Sequence, residues 1–148
     1  MSNEPLIPYS TTLHVRDHCL CLYAQRAARI LARRFDQALR PLSLTNGQFS
    51  LMMSLNRPEP PALGAVAELL GMDRTTLTAA LKALERKGWV RTEKSPRDGR
   101  EKMLSLTPEG KTRLAAAVPI WASTHDALEK KMPQGAMERL RHDLGLMR

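Results

Sequence analysis

The chain has 148 residues, 43% of them apolar and 26% charged, which fits one ordinary domain or one subunit of a helical dimer and argues against a multidomain enzyme or a disordered tail protein. No run approaches the roughly 18 consecutive apolar residues of a membrane span, and the polar start from Met1 to Tyr9 lacks a secretory signal pattern, so a cytoplasmic protein is expected. With 23 Lys and Arg against 15 Asp and Glu the net charge is +8, which favours a polyanionic partner.

Residues 1–11 read as a flexible N-terminal arm. From Thr12 to Leu42 the apolar residues Leu20, Ala24, Ala27, Leu31, Phe35, Ala38 and Leu42 recur at helical spacing, with Arg26, Arg29, Arg33 and Arg40 on the opposite side. A helix of that length exceeds the need of one small core and predicts packing against a partner subunit, with Pro41 near its end as a terminator. Thr45-Asn46-Gly47-Gln48 has the form of a capping box and opens a helix to about Leu55. The three prolines between Asn56 and Pro61 mark a loop. A short helix, Ala62 to Leu70, follows and ends at Gly71.

Asp73 is an N-cap for the next helix, which buries Leu77, Leu81 and Leu84 and presents Arg74, Thr75, Thr78 and Lys82 outward. Two helices joined by Gly71-Met72-Asp73, the second basic on its outer face, form a helix-turn-helix pattern. Trp89 to Lys94 and Lys102 to Thr107 have strand character around the turn Ser95-Pro96-Arg97-Asp98-Gly99-Arg100-Glu101, giving a hairpin with a basic tip. Thr107-Pro108-Glu109 starts a helix to about Met132, with Leu114, Val118, Trp121 and Leu128 for packing and Pro119 as a kink. Pro133 opens a last helix to about Leu146. Charge concentrates in residues 16–40, with six basic and two acidic side chains, and in residues 73–102, with nine and five.

This order of elements resembles the MarR family of bacterial transcription regulators. Leu84 through Glu85-Arg86-Lys87-Gly88-Trp89-Val90-Arg91 is similar to that family's exit from the recognition helix. Asp98-Gly99-Arg100 resembles its Asp-x-Arg wing tip, and Leu106-Thr107-Pro108-Glu109-Gly110 its Leu-Thr-x-x-Gly junction. The resemblance covers about Thr12 to Leu146. It implies a mainly α fold with a small β-hairpin wing: a winged helix-turn-helix DNA-binding domain over 43–107, and a helical dimerisation region over 12–42 and 108–148. It also implies a homodimer that binds a double-stranded, pseudo-palindromic operator, with repression the commoner outcome.

Within that frame the DNA-binding candidates are Arg74, Thr75, Thr76, Thr78, Lys82, Lys94, Arg97, Asp98 and Arg100. An Arg near the start of the recognition helix reaches guanine O6 and N7, a Thr methyl packs on thymine, and Lys82 one turn on suits a phosphate. Thr76 reads equally as a backbone cap. Many family members have Arg directly after the Thr that matches Thr78, where this chain has Ala79, so one expected contact is missing. The resemblance assigns Arg100 to the minor groove, with Arg97 and Lys94 adding phosphate contacts. Asp98 is expected to orient a neighbouring arginine by a charge-assisted hydrogen bond rather than touch DNA itself.

Family members are relieved from DNA by small phenolic or aromatic-acid ligands, or by cysteine oxidation. His14, His18, Tyr23, Trp121 and His125 are candidates to line such a site, each also readable as a packing residue. Counting back from Thr45 sets Cys21 where the organic-hydroperoxide-sensing branch has its reactive cysteine, but Phe35 and Asn46 stand where that branch has tyrosines. Cys19 and Cys21, about 200° apart on one helix, are expected not to pair within a subunit. The cysteines and four scattered histidines supply no metal-ligand spacing, so no metal and no cofactor are expected. An enzyme is also not expected, since the one nearby pair, His18 and Cys21, lacks a third group. A non-specific architectural nucleic-acid-binding protein and a partner-binding winged helix remain as rivals.

Overall fold

A computed structural model describes residues 4–147. The chain divides into two compact units, one ending at Arg34 and the other beginning at Phe35.

The first unit contains helix α1, Tyr9–His18, and most of α2, Leu20–Leu39. The expected single helix from Thr12 is therefore corrected twice. It starts earlier, at Tyr9, which shortens the expected arm; residues 1–3 of that arm lie outside the described residues. It also breaks at Cys19, whose extended ψ of 108° interrupts the helical path. At the break His18 Nδ1 lies 2.7 Å from the His14 carbonyl oxygen, so a side chain shares the acceptor that the backbone of the last turn would use. The apolar residues Leu20, Leu22, Tyr23, Ile30 and Leu31 of α2 are exposed in the single chain.

In the second unit α2 ends at Leu39 and a 3-10 turn, Arg40–Leu42, with Pro41 in it, leads to Ser43. Helix α3, Asn46–Ser54, begins with the expected capping box: Thr45 Oγ1 accepts from Gln48 N, and Gln48 Oε1 accepts from Thr45 N, both at 3.1 Å. Helices α4, Leu63–Leu70, and α5, Arg74–Arg86, follow. Gly71 between them takes the left-handed φ of 65° that favours a residue without Cβ. Strands β1, Val90–Lys94, and β2, Lys102–Leu106, pair antiparallel with Val90 opposite Leu106 and Lys94 opposite Lys102. Ala62 adds a single bridge to Met103, and Leu104 N donates to Pro61 O at 2.9 Å. Helix α6, Pro108–Glu129, continues through Pro119, and α7, Ala136–Gly145, ends the fold.

The core gathers Leu39, Leu51, Met52, Val66, Leu77, Leu84, Leu104, Leu114 and Ala117, drawn from α2, α3, α4, α5, β2 and α6. These side chains lock the helix-turn-helix and the hairpin into one lobe through removal of apolar surface from water. Of the residues expected to pack on α6, Leu114 is buried, whereas Val118 and Trp121 remain about 40% exposed in the single chain. No helix among the described residues is long and apolar enough to cross a membrane.

Candidate nucleic-acid interface

The start of α5 is set by Asp73. Its Oδ1 accepts from Thr76 N at 2.7 Å and its Oδ2 from Thr76 Oγ1 at 2.8 Å. These two donors, the backbone one first, hold the carboxyl below its ordinary value because they stabilise the charged form. Thr76 thus spends its hydroxyl on the carboxylate of the cap, while Asp73 itself accepts the backbone N–H.

Arg74, Thr75, Thr78, Ala79 and Lys82 border a shallow hollow of about 380 Å³ on the outer side of α5. Leu77, Leu81 and Leu84, on the other side, are buried. Spacings of three and four put the two sets on opposite faces, as the sequence pattern requires. Arg74 lies against α4: its Nη2 is 3.0 Å from where a Cβ on Gly64 would stand, so the small residue leaves the guanidinium room at the helix crossing.

The wing stands beside this helix. Thr78, Lys82 and Glu85 of α5 and Thr92, Glu93, Lys94 and Lys102 of the hairpin line a groove of about 320 Å³. Thr92 Oγ1 donates to Glu85 across it, a tie between wing and helix that the sequence pattern did not signal. At the hairpin tip Ser95 N donates to Glu101 O at 2.8 Å and Glu101 N to Asp98 O at 3.0 Å. Ser95 Oγ accepts from Arg97 N, and Asp98 Oδ1 accepts from Arg100 N at 3.0 Å. Asp98 holds a neighbouring arginine through its main chain, because a short carboxylate two residues back reaches the Arg100 N–H. Arg97 and Arg100 are left exposed on a braced turn.

The junction behind the wing is close-packed. A Cβ at Gly110 would lie 2.0 Å from the Trp89 carbonyl oxygen, so only glycine fits. Thr107 Oγ1 donates to Gly88 O at 2.6 Å and accepts from Gly110 N at 3.0 Å. A further support unseen in the sequence is Asp36, whose Oδ1 accepts from both the backbone N and the Nδ2 of Asn46, at 2.7 and 2.9 Å.

The expected effector residues fall in both units. In the first, the His14 and His18 rings stack at 4.1 Å, and Tyr23 borders a hollow with Arg16, Asp17, Leu22 and Arg26. In the second, Trp121 and His125 stand 5.0 Å apart, with Phe49 stacked on Trp121 at 6.2 Å. Trp121 also borders an apolar hollow of about 480 Å³ with Phe49, Met53, Leu69 and Val118. Cys19 is half-buried at the end of α1, and Cys21 is exposed in the first turn of α2. Because the helix breaks between them, the angle expected from one continuous helix does not describe the pair. Among the described residues no group of three or more His, Cys, Asp or Glu side chains could hold a metal ion.

Comparison with known proteins bears on the same lobe. The MarR family model matches residues 44–102. The organic hydroperoxide resistance transcriptional regulator of Bacillus subtilis is 30% identical over 102 residues, which are 69% of this chain and 68% of that protein. The uncharacterized HTH-type transcriptional regulator YwoH of the same bacterium is 30% identical over 88 residues, and the chain spans 64% of its length. The crystal structure of the Mycobacterium tuberculosis transcriptional regulator MosR in complex with DNA superposes with a TM-score of 0.80 at 35% identity, over 88% of this chain and 93% of that one. On its sequence, its fold and these likenesses, the chain belongs to the MarR family of winged-helix transcriptional regulators.

Proposed function

We propose that the protein binds a pseudo-palindromic DNA operator as a homodimer and represses transcription, and that a small aromatic or phenolic ligand releases it. The observation that carries this reading is the pairing of two basic elements on one lobe. The exposed face of α5, with Arg74, Thr75, Thr78 and Lys82, suits a major groove, and the braced wing tip offers Arg97 and Arg100 to the adjacent backbone and minor groove. Lys94, on the groove between helix and wing, suits a phosphate. Thr76, bound to the Asp73 cap, and Asp98, which accepts from Arg100 N, support the reading surface. Two such lobes on a two-fold axis would read half-sites about 10 base pairs apart. The apolar hollow beside Trp121 supports ligand release, being of the size and character of small-molecule sites.

The test is a titration of the purified protein on DNA from upstream of its own gene and on a scrambled duplex, at two salt concentrations. Selective binding by about 10³-fold is expected for a regulator. Equal, steeply salt-dependent binding to both duplexes would instead make this an architectural protein. Arg100→Ala is expected to weaken operator binding strongly with the fold intact, and unchanged affinity would remove Arg100 from the interface.

A second reading, thiol-based sensing, is favoured by the helix break at Cys19, which leaves Cys21 exposed at the start of a helix. The likeness to the B. subtilis organic hydroperoxide resistance regulator supports it. Under this reading an organic hydroperoxide releases the wild-type protein from its operator, and Cys21→Ser abolishes that release.

A further inference from the structure

Not every exposed cation in the basic stretch 73–102 is without a protein partner, as Lys87 shows. Trp89, at the exit from α5, is 4% exposed. Lys87 Nζ stands 4.7 Å from its ring centroid and Arg113 Cζ 4.8 Å, both within cation–π range. Each cation also donates to the turn that follows α2. Lys87 Nζ bonds Ser43 O at 2.7 Å and approaches Gln48 Oε1 at 3.5 Å, and Arg113 Nη1 bonds Leu42 O at 3.2 Å. Ser43 sits there at a left-handed φ of 56°, a conformation that a residue with a Cβ holds only when its surroundings fix it. Two side chains, one just past the end of α5 and one from α6, thus converge on one ring and on two successive carbonyls.

We infer that Lys87 and Arg113 are positioning residues: across Trp89 they hold the exit of the recognition helix to the turn after α2 and so fix the half-site spacing that a pair of lobes can read. They do this without touching DNA themselves. The inference rests on the reading that the protein binds DNA as a dimer. Lys87 is exposed, yet its ammonium is already engaged by the Ser43 carbonyl and the Trp89 ring, and Arg113 is half-buried. Loss of either cation loosens the exit of the recognition helix against that turn, which alters the tolerated distance between half-sites rather than the number of neutralised phosphates.

The experiment selects duplexes from a randomised library with the wild-type protein. It then compares the enriched duplex with versions carrying one base pair more or fewer at the centre. Wild type is expected to lose about 30-fold in affinity when the spacing changes. Lys87→Met and Arg113→Met, with folding checked by circular dichroism, are expected to narrow that discrimination to below about threefold while leaving the salt slope unchanged. Lys87→Arg, which keeps a cation and donors, restores the discrimination. A salt slope shallower by about 0.9 for each phosphate no longer neutralised, with spacing preference intact, would place these side chains on the DNA backbone and overturn the inference. So would variants in which both quantities match wild type. Enrichment of no duplex by the wild-type protein is a different failure, one that defeats DNA recognition itself and the inference with it.

Discussion

Asp73 shows how much one side chain decides at the head of α5. Its carboxylate accepts the Thr76 backbone N–H and hydroxyl, and these bonds lower its pKa from the ordinary 3.8. A depressed carboxyl binds its proton more weakly in the folded state, so its stabilisation is complete above 3.8 and is lost as the pH falls through the folded-state value. Asp73→Ala is accordingly expected to unfold at lower temperature than wild type at pH 7, with the gap closing as the pH drops below 3.8. Thermal melts across that range check this, and a gap independent of pH would assign the cap to geometry rather than charge. Asp73 was legible from sequence because N-cap preference is local. The role of Asp98 was legible only as a motif. Whether its carboxylate meets a guanidinium or a main-chain N–H depends on how the turn closes, which residue types alone do not state.

At the scale of elements, the sequence pattern locates most helices and both strands within one to three residues. The capping box at Thr45, the left-handed Gly71 and the Thr-Pro start of α6 are each short-range signals with a fixed geometry. The break at Cys19 was not legible, since His18-Cys19-Leu20 holds no proline or glycine and the apolar period runs straight through it. Cross-element ties such as Thr92 to Glu85 and Asp36 to Asn46 also escaped, because they join residues whose meeting depends on the packed lobe. The junction at Gly110 was visible as a motif, and its reason emerges only from packing. A methyl group there would meet the Trp89 carbonyl at 2.0 Å. Gly110→Ala is therefore expected to cost about 3 kcal/mol through forced backbone displacement, read as a lower urea midpoint. An unchanged midpoint would mean that the wing and α6 part without penalty.

Over the whole molecule, the basic face and the exposed apolar residues are separate resources. Ile30 and Leu31 of α2 and Leu140 and Leu144 of α7 are exposed in the single chain, and of these Leu31 lies on the stripe that sequence periodicity assigned to a partner subunit. Substituting both Ile30 and Leu31 by Glu is expected to give a monomer by sedimentation. Operator binding should then weaken by roughly 10²-fold, since each lobe would bind without the effective concentration supplied by the other. A dimer that persists would direct the interface elsewhere.

Within the wing, among the described residues, β1 pairs with β2 alone, while the bridge at Ala62 occupies Met103 on the far side of β2. The hairpin therefore turns a strand margin to water, a template on which another extended chain could lengthen the sheet. Arg91 and Glu93, both exposed and 3.9 Å apart along β1, place opposite charges on that margin. Docking a neutral strand there would strip them of water, so the same short hairpin that offers arginines at its tip resists sticking to its own kind along its flank.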